Sequence, residues 1–164
     1  MEARIRQNQD ILKISGKALI ILGLWTIVRL FLLRFLEPEL LHHFLTTPDM
    51  EYTDPVIYDI LFSVVIIALV IDLVFRLFIG LSSISEGKGK KKTPVYIIFA
   101  ILYALVCLST DIYVIATIPD SQSKLSSISS LLIDLTSCLA LVAITVSSIS
   151  IRVLRKKSEK ATAA

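Results

Sequence analysis

Seven ionisable side chains sit inside long apolar runs of this sequence: Arg29, Arg34, Asp59, Asp72, Arg76, Asp111 and Asp134. These are the residues whose types and spacing could do chemistry. A carboxylate held away from water can exchange a proton or hold a cation, and a guanidinium beside it can neutralise it instead. Asp72 and Arg76 are four residues apart, so on a helix they are neighbours of opposite charge. Other chemistry finds little support. His42 and His43 lie close to Glu37 and Glu39, and Glu39 and His43 would share a helical face. Two or three ligands from one short connection make too unspecific a set, and no metal is assigned. The chain carries no HExxH metal motif, no pair of histidines inside its apolar runs to clamp a haem, no GxSxG elbow, no GxxxxGK[ST] loop and no GxGxxG fingerprint. No catalytic residue and no cofactor are implied, and the balance points away from an enzyme.

The elements that must hold these charges are membrane spans. The chain has 164 residues, 55% of them hydrophobic and 19% charged, with a mean hydropathy of +0.78. Soluble domains run to about 45–50% apolar and about 25% charged residues. Disordered, collagen-like, disulfide-framed and nucleic-acid-binding classes are excluded on the same grounds. A bilayer core about 30 Å thick needs roughly 20 helical residues. Four stretches meet that length: 14–36, 56–81, 95–118 and 126–154. Glu37-Pro38 ends the first, Pro55 and Pro94 stand before the second and third, and Pro119 follows the third. The runs LFSVVIIALVI and YIIFAILYALV are apolar all round, whereas a soluble bundle helix keeps a polar stripe. The fold expected is therefore all-α: a polytopic membrane protein, a single four-transmembrane-helix bundle spanning the whole chain. Four spans in so small a chain resemble the small multidrug-resistance exporters in helix number only. Those exporters use a first-helix glutamate, where this first helix carries Arg29 and Arg34, so the resemblance carries no activity across.

Basic residues orient the spans. Arg4, Arg6, Lys13 and Lys17 flank the first; Lys88, Lys90, Lys91 and Lys92 fill the loop 82–94; Arg152, Arg155, Lys156, Lys157 and Lys160 surround the start of the tail 155–164. The two alternate connections hold Lys124 alone against those thirteen, and the first of them is acidic, with Glu37, Glu39, Asp49, Glu51 and Asp54. Both termini are expected to face the cytoplasm, in the cell membrane, with no dual topology. The first run exceeds the roughly 7–15 apolar residues of a signal peptide and is expected to be a retained anchor.

Depth arithmetic at about 1.5 Å per residue groups the charges. Measured from each span's midpoint, Arg29, Asp111 and Asp134 lie roughly 6–7 Å toward the outside, and Arg34 and Asp59 roughly 14 Å. The expected polar interior is an Arg29 layer between Asp111 and Asp134, an intrahelical Asp72–Arg76 pair and an interfacial Arg34–Asp59 pair. Each charge costs about 2.5–3.5 kcal/mol near a helix centre if unmatched. Pairing for helix packing and an ion or proton site are the two roles open to the layer. Ala100, Ala104, Cys107 and Asp111 share one helical face, as do Ser127, Ser130, Asp134 and Ser137, so the third and fourth helices should touch. Cys107 and Cys138 fall at similar depth, with no CxxC to suggest redox chemistry. Trp25 is expected to pack, and Tyr52, Tyr58 and Tyr96 to anchor at interfaces.

The preferred functional reading is an accessory or interaction subunit with a buried Arg/Asp layer, in a homo-oligomer or larger membrane complex. The alternative is a small transporter or channel-like protein, proton- or cation-coupled through its intramembrane aspartates. The partner implied is the lipid bilayer, with anionic head groups for Lys88, Lys90, Lys91 and Lys92, and no nucleic acid. The orientation is directly testable. In a Cys107→Ser, Cys138→Ser background, Lys90→Cys should react with a membrane-impermeant maleimide only from the cytoplasmic side; labelling from outside intact cells would reverse it.

Overall fold

Sustained apolar sequence bounded by proline and glycine folds here into helices. The computed structural model describes residues 2–36, 55–117 and 124–162, with side chains for 2–36, 56, 59–112 and 131–158. The acidic connection with His42 and His43, and the side chains of Tyr58, Tyr113, Lys124, Ser127 and Ser130, lie outside the described residues. Among the described residues there are four helices: α1 (Glu2–Leu36), α2 (Pro55–Gly87), α3 (Val95–Thr117) and α4 (Lys124–Thr162). All four are long and apolar enough to cross a membrane. The architecture is all-α and packed as a bundle.

The helix ends follow from local chemistry. Pro94 opens α3 by accepting the Ile97 N–H through its carbonyl at 2.9 Å, a first-turn position where proline's missing N–H costs nothing. At the end of α2, Lys90 N–H reaches Ser85 O at 3.3 Å and Gly89 N–H reaches Glu86 O at 2.9 Å. This is a Schellman cap with Gly89 at the left-handed position, φ +90°. Helix α2 therefore continues through Ser82–Gly87, six residues beyond the apolar run that ends at Leu81. Helices α1 and α4 likewise extend past their apolar runs at the end that carries both termini and the Lys88–Lys92 loop, here the basic end.

Each helix packs antiparallel on its sequence neighbour, and α4 closes the bundle on α1. The α1–α2 seam is the tightest because glycines face each other across it. A Cβ on Gly80 would lie 2.8 Å from Gly16 O and 2.7 Å from Ile20 Cγ1; one on Gly87 would lie 2.7 Å from Gln9 O. Such close approach of backbones is how membrane helices gain packing energy when lipid is as apolar as the side chains. Ser83 uses the proximity to donate to Leu12 O at 3.0 Å across the seam. Leu12, Leu19, Ile79, Ala100, Ala104, Leu141, Ile144 and Ile151 form the apolar core, and α3 touches α4 along the small-residue face that includes Ala100 and Ala104.

Large apolar side chains cover the outside. Ile67 is 59% exposed and Leu105 58%, a surface suited to hydrocarbon and not to water. Trp25, expected to pack, is 49% exposed on this surface. Several hydroxyls return to their own helix backbone, as Thr26 does to Leu22 O at 3.0 Å and Thr136 to Leu132 O at 2.7 Å, which keeps these donors from meeting lipid alone.

The glycine seam yields a stability prediction. Gly80→Ala should destabilise the bundle by about 1–3 kcal/mol, the usual cost of overpacking, because its Cβ meets Gly16 backbone rather than a flexible tip. Reversible unfolding in mixed micelles measures this.

Candidate functional site

Arg76 is 4% exposed, and every element of the bundle bears on it. Its Nε donates to Asp72 Oδ2 at 2.8 Å, one turn back on α2. Its Nη1 donates to Ser137 Oγ of α4 at 2.8 Å, and Ser137 passes its own proton to Ile133 O at 2.9 Å. From α3, the Tyr103 hydroxyl donates to Asp72 Oδ1, and the Tyr103 ring centroid lies 5.6 Å from the Arg76 guanidinium carbon. From α1, Gly23 leaves room for the Arg76 stem, since a Cβ there would fall 2.8 Å from Arg76 Cδ. The pair is thus completed by a tyrosine, a serine and a glycine, each from a different helix. A desolvated ion pair holds only when its remaining donors and acceptors are met in this way.

A second cluster closes the basic end. Glu86 is 1% exposed and takes a forked pair of hydrogen bonds from Arg152 of α4, Nε to Oε1 at 3.2 Å and Nη2 to Oε2 at 3.1 Å. The Tyr96 hydroxyl of α3 donates to Glu86 and lies 2.6 Å from Ser148 Oγ. Arg152 also reaches Lys92 O at 3.0 Å, and Arg155 reaches Gly89 O at 3.4 Å. The loop between α2 and α3 is in this way pinned to the end of α4. Tyr96, expected at the interface, is instead 2% exposed within this cluster.

Of the other charges singled out by sequence, Arg34 Nη2 lies 3.4 Å from Asp59 Oδ1, with both side chains over a third exposed, and its guanidinium sits 4.0 Å over the Phe62 ring. Asp134 is partly buried on α4, and the charges of Asp111, Arg76, Asp72 and Arg29 act on it. Asp111 is 9% exposed, and its Oδ2 is buried with no hydrogen-bond partner among the described residues. Cys107 of α3 and Cys138 of α4 are both free thiols, the second of them buried. Lys88, Lys90, Lys91 and Lys92 are exposed. No group of three or more metal-ligating side chains gathers among the described residues.

The Glu86 cluster was hidden from sequence reading by its setting in EGKGKKK, which looks like a solvated turn. A signal was present: Asp72, Arg76, Ile79, Ser83 and Glu86 recur at spacings of 4, 3, 4 and 3, one continuous helical face. Tyr96 and Tyr103 are seven apart on the face that also holds Ala100 and Cys107. No protein-family model, no curated protein and no solved structure matches this chain.

The geometry separates single from paired substitutions. Arg76→Ala should cost about 3–5 kcal/mol of bundle stability by stranding Asp72, and Asp72→Leu with Arg76→Met should cost clearly less than Arg76→Ala alone. Unfolding in micelles compares them; a silent Arg76→Ala would contradict the structural role of the pair.

Proposed function

We propose that this chain is a non-catalytic subunit of the cell membrane, an accessory or interaction protein whose intramembrane charges serve to fasten its own helices. The observation that carries this reading is the closure of the Asp72–Arg76 cluster. Asp72 and Arg76 bond to each other, and each also bonds to a side chain of a neighbouring helix, Tyr103 of α3 and Ser137 of α4. A carboxylate held by a guanidinium and a tyrosine hydroxyl is poorly placed to trade ligands, whereas it resists separation of α2, α3 and α4. The Glu86–Arg152 fork repeats the device at the basic end.

Both termini and the Lys88–Lys92 loop face the cytoplasm in this reading, the side on which basic residues are retained. There Lys88, Lys90, Lys91 and Lys92 meet anionic head groups, at about 1 kcal/mol per basic residue near the surface. The outward-facing apolar side chains of α2 and α3, such as Val64 and Val106, are available to lipid, to a second copy or to helices of a larger complex.

The subunit reading and a transporter predict opposite results in vesicles. Wild-type protein reconstituted into liposomes should carry no proton, sodium or potassium flux above that of empty liposomes, under gradients of either sign. Flux that disappears in Asp134→Asn while the variant retains its helical content would replace this proposal with a coupled transporter.

A further inference from the structure

The acids of the interior are of two kinds. Asp72 and Glu86 are each held by a guanidinium and a tyrosine hydroxyl. Asp111 is held differently: it is nine-tenths buried, on the α3 face that meets α4, and its Oδ2 has no hydrogen-bond partner among the described residues. A buried acceptor without a donor loses its hydration with nothing in exchange. Its burial, and its place one turn along from Cys107 on the face that holds the buried Ala100 and Ala104, put it at the α3–α4 seam.

Charge counting points the same way. The groups facing Asp134 are Arg29 of α1, Asp72 and Arg76 of α2, and Asp111 of α3, with Cys138 beside it on α4. Arg76 and Asp72 cancel as a pair. That leaves two carboxylates, Asp111 and Asp134, against the single charge of Arg29. Among the described residues the layer is therefore one positive charge short, which a monovalent ion supplies; a divalent ion would leave it positive, and no cluster of three metal ligands is present among those residues.

We propose that Asp111 and Asp134 together bind one exchangeable monovalent cation, a proton or an alkali ion, between α3 and α4. Asp134 is partly exposed where Asp111 is buried, so the site has a tight inner oxygen and an outer carboxylate through which the ion enters and leaves. The site rests on the bundle and its charges, not on the subunit reading: an ion can be held without being carried across, so the vesicle flux result leaves this site untouched.

The test uses dicyclohexylcarbodiimide, an apolar reagent that adds to a carboxyl carrying its proton. Wild-type protein in vesicles, in a medium with choline as the bulk cation, should form an adduct on Asp111 or Asp134, mapped by peptide mass, with Asp72 unmodified. Suppression of that adduct by sodium or potassium chloride would identify an alkali ion as the competing occupant; insensitivity to both would identify the proton alone. Asp111→Asn, with helical content confirmed by circular dichroism, should lose the label at Asp134, because Arg29 then suffices to balance it. No adduct on either residue, together with no heat of sodium or potassium binding in calorimetry, would overturn the proposal. So would full labelling of Asp134 in Asp111→Asn.

Discussion

Housing one guanidinium in the middle of an apolar bundle is the constraint around which this protein is arranged. Arg76 cannot face hydrocarbon cheaply, and it does not. Its charge is met by Asp72 on its own helix, its Nη1 by Ser137 of α4, and the second oxygen of Asp72 by Tyr103 of α3. Its stem fits only because α1 presents Gly23 at that level. Four helices thus agree on one position. In lipid the apolar side chains have little reason to prefer each other over acyl chains, so directional groups and close backbone contact set which faces meet.

The two polar clusters divide the work along the bundle axis. Between them lies the apolar core of Leu19, Ile79, Ala100 and Ile144, and beside it the glycine seam of α1 and α2. The Glu86 cluster does at the basic end what Arg76 does in the middle, but it also fastens a loop, through Arg152 to Lys92 O and Arg155 to Gly89 O. The bundle is consequently well braced from its centre to the basic end. Toward the other end, the described residues include the exposed Arg34–Asp59 pair, the kind of pair that contributes little, and the buried Asp111.

How much of this could be read from sequence depends on the range of each signal. The spans were legible because apolar length is a local property, and Asp72–Arg76 because an i, i+4 spacing brings neighbours together whatever the fold. The small-residue face of α3 was legible for the same reason. Glu86 was not: its surroundings are polar, and only the packing of Gly87 against Gln9 O and the arrival of Arg152 from 66 residues away show that α2 stays buried there. Tyr96 misled in a related way. A tyrosine near a span end fits the interface on composition, and nothing local says that its hydroxyl has a buried carboxylate to reach.

The claim on which the rest depends is that two buried pairs, Asp72–Arg76 and Glu86–Arg152, are neutralised inside the bundle rather than meeting lipid or water singly. Magic-angle-spinning NMR of the labelled protein in lipid bilayers measures it most directly, through the dipolar coupling between Arg76 Nε and the Asp72 carboxyl carbon. The account predicts a strong, short-range coupling for that pair and a second one between Arg152 and the Glu86 carboxyl carbon. Loss of both couplings in a folded, bilayer-embedded sample would contradict it.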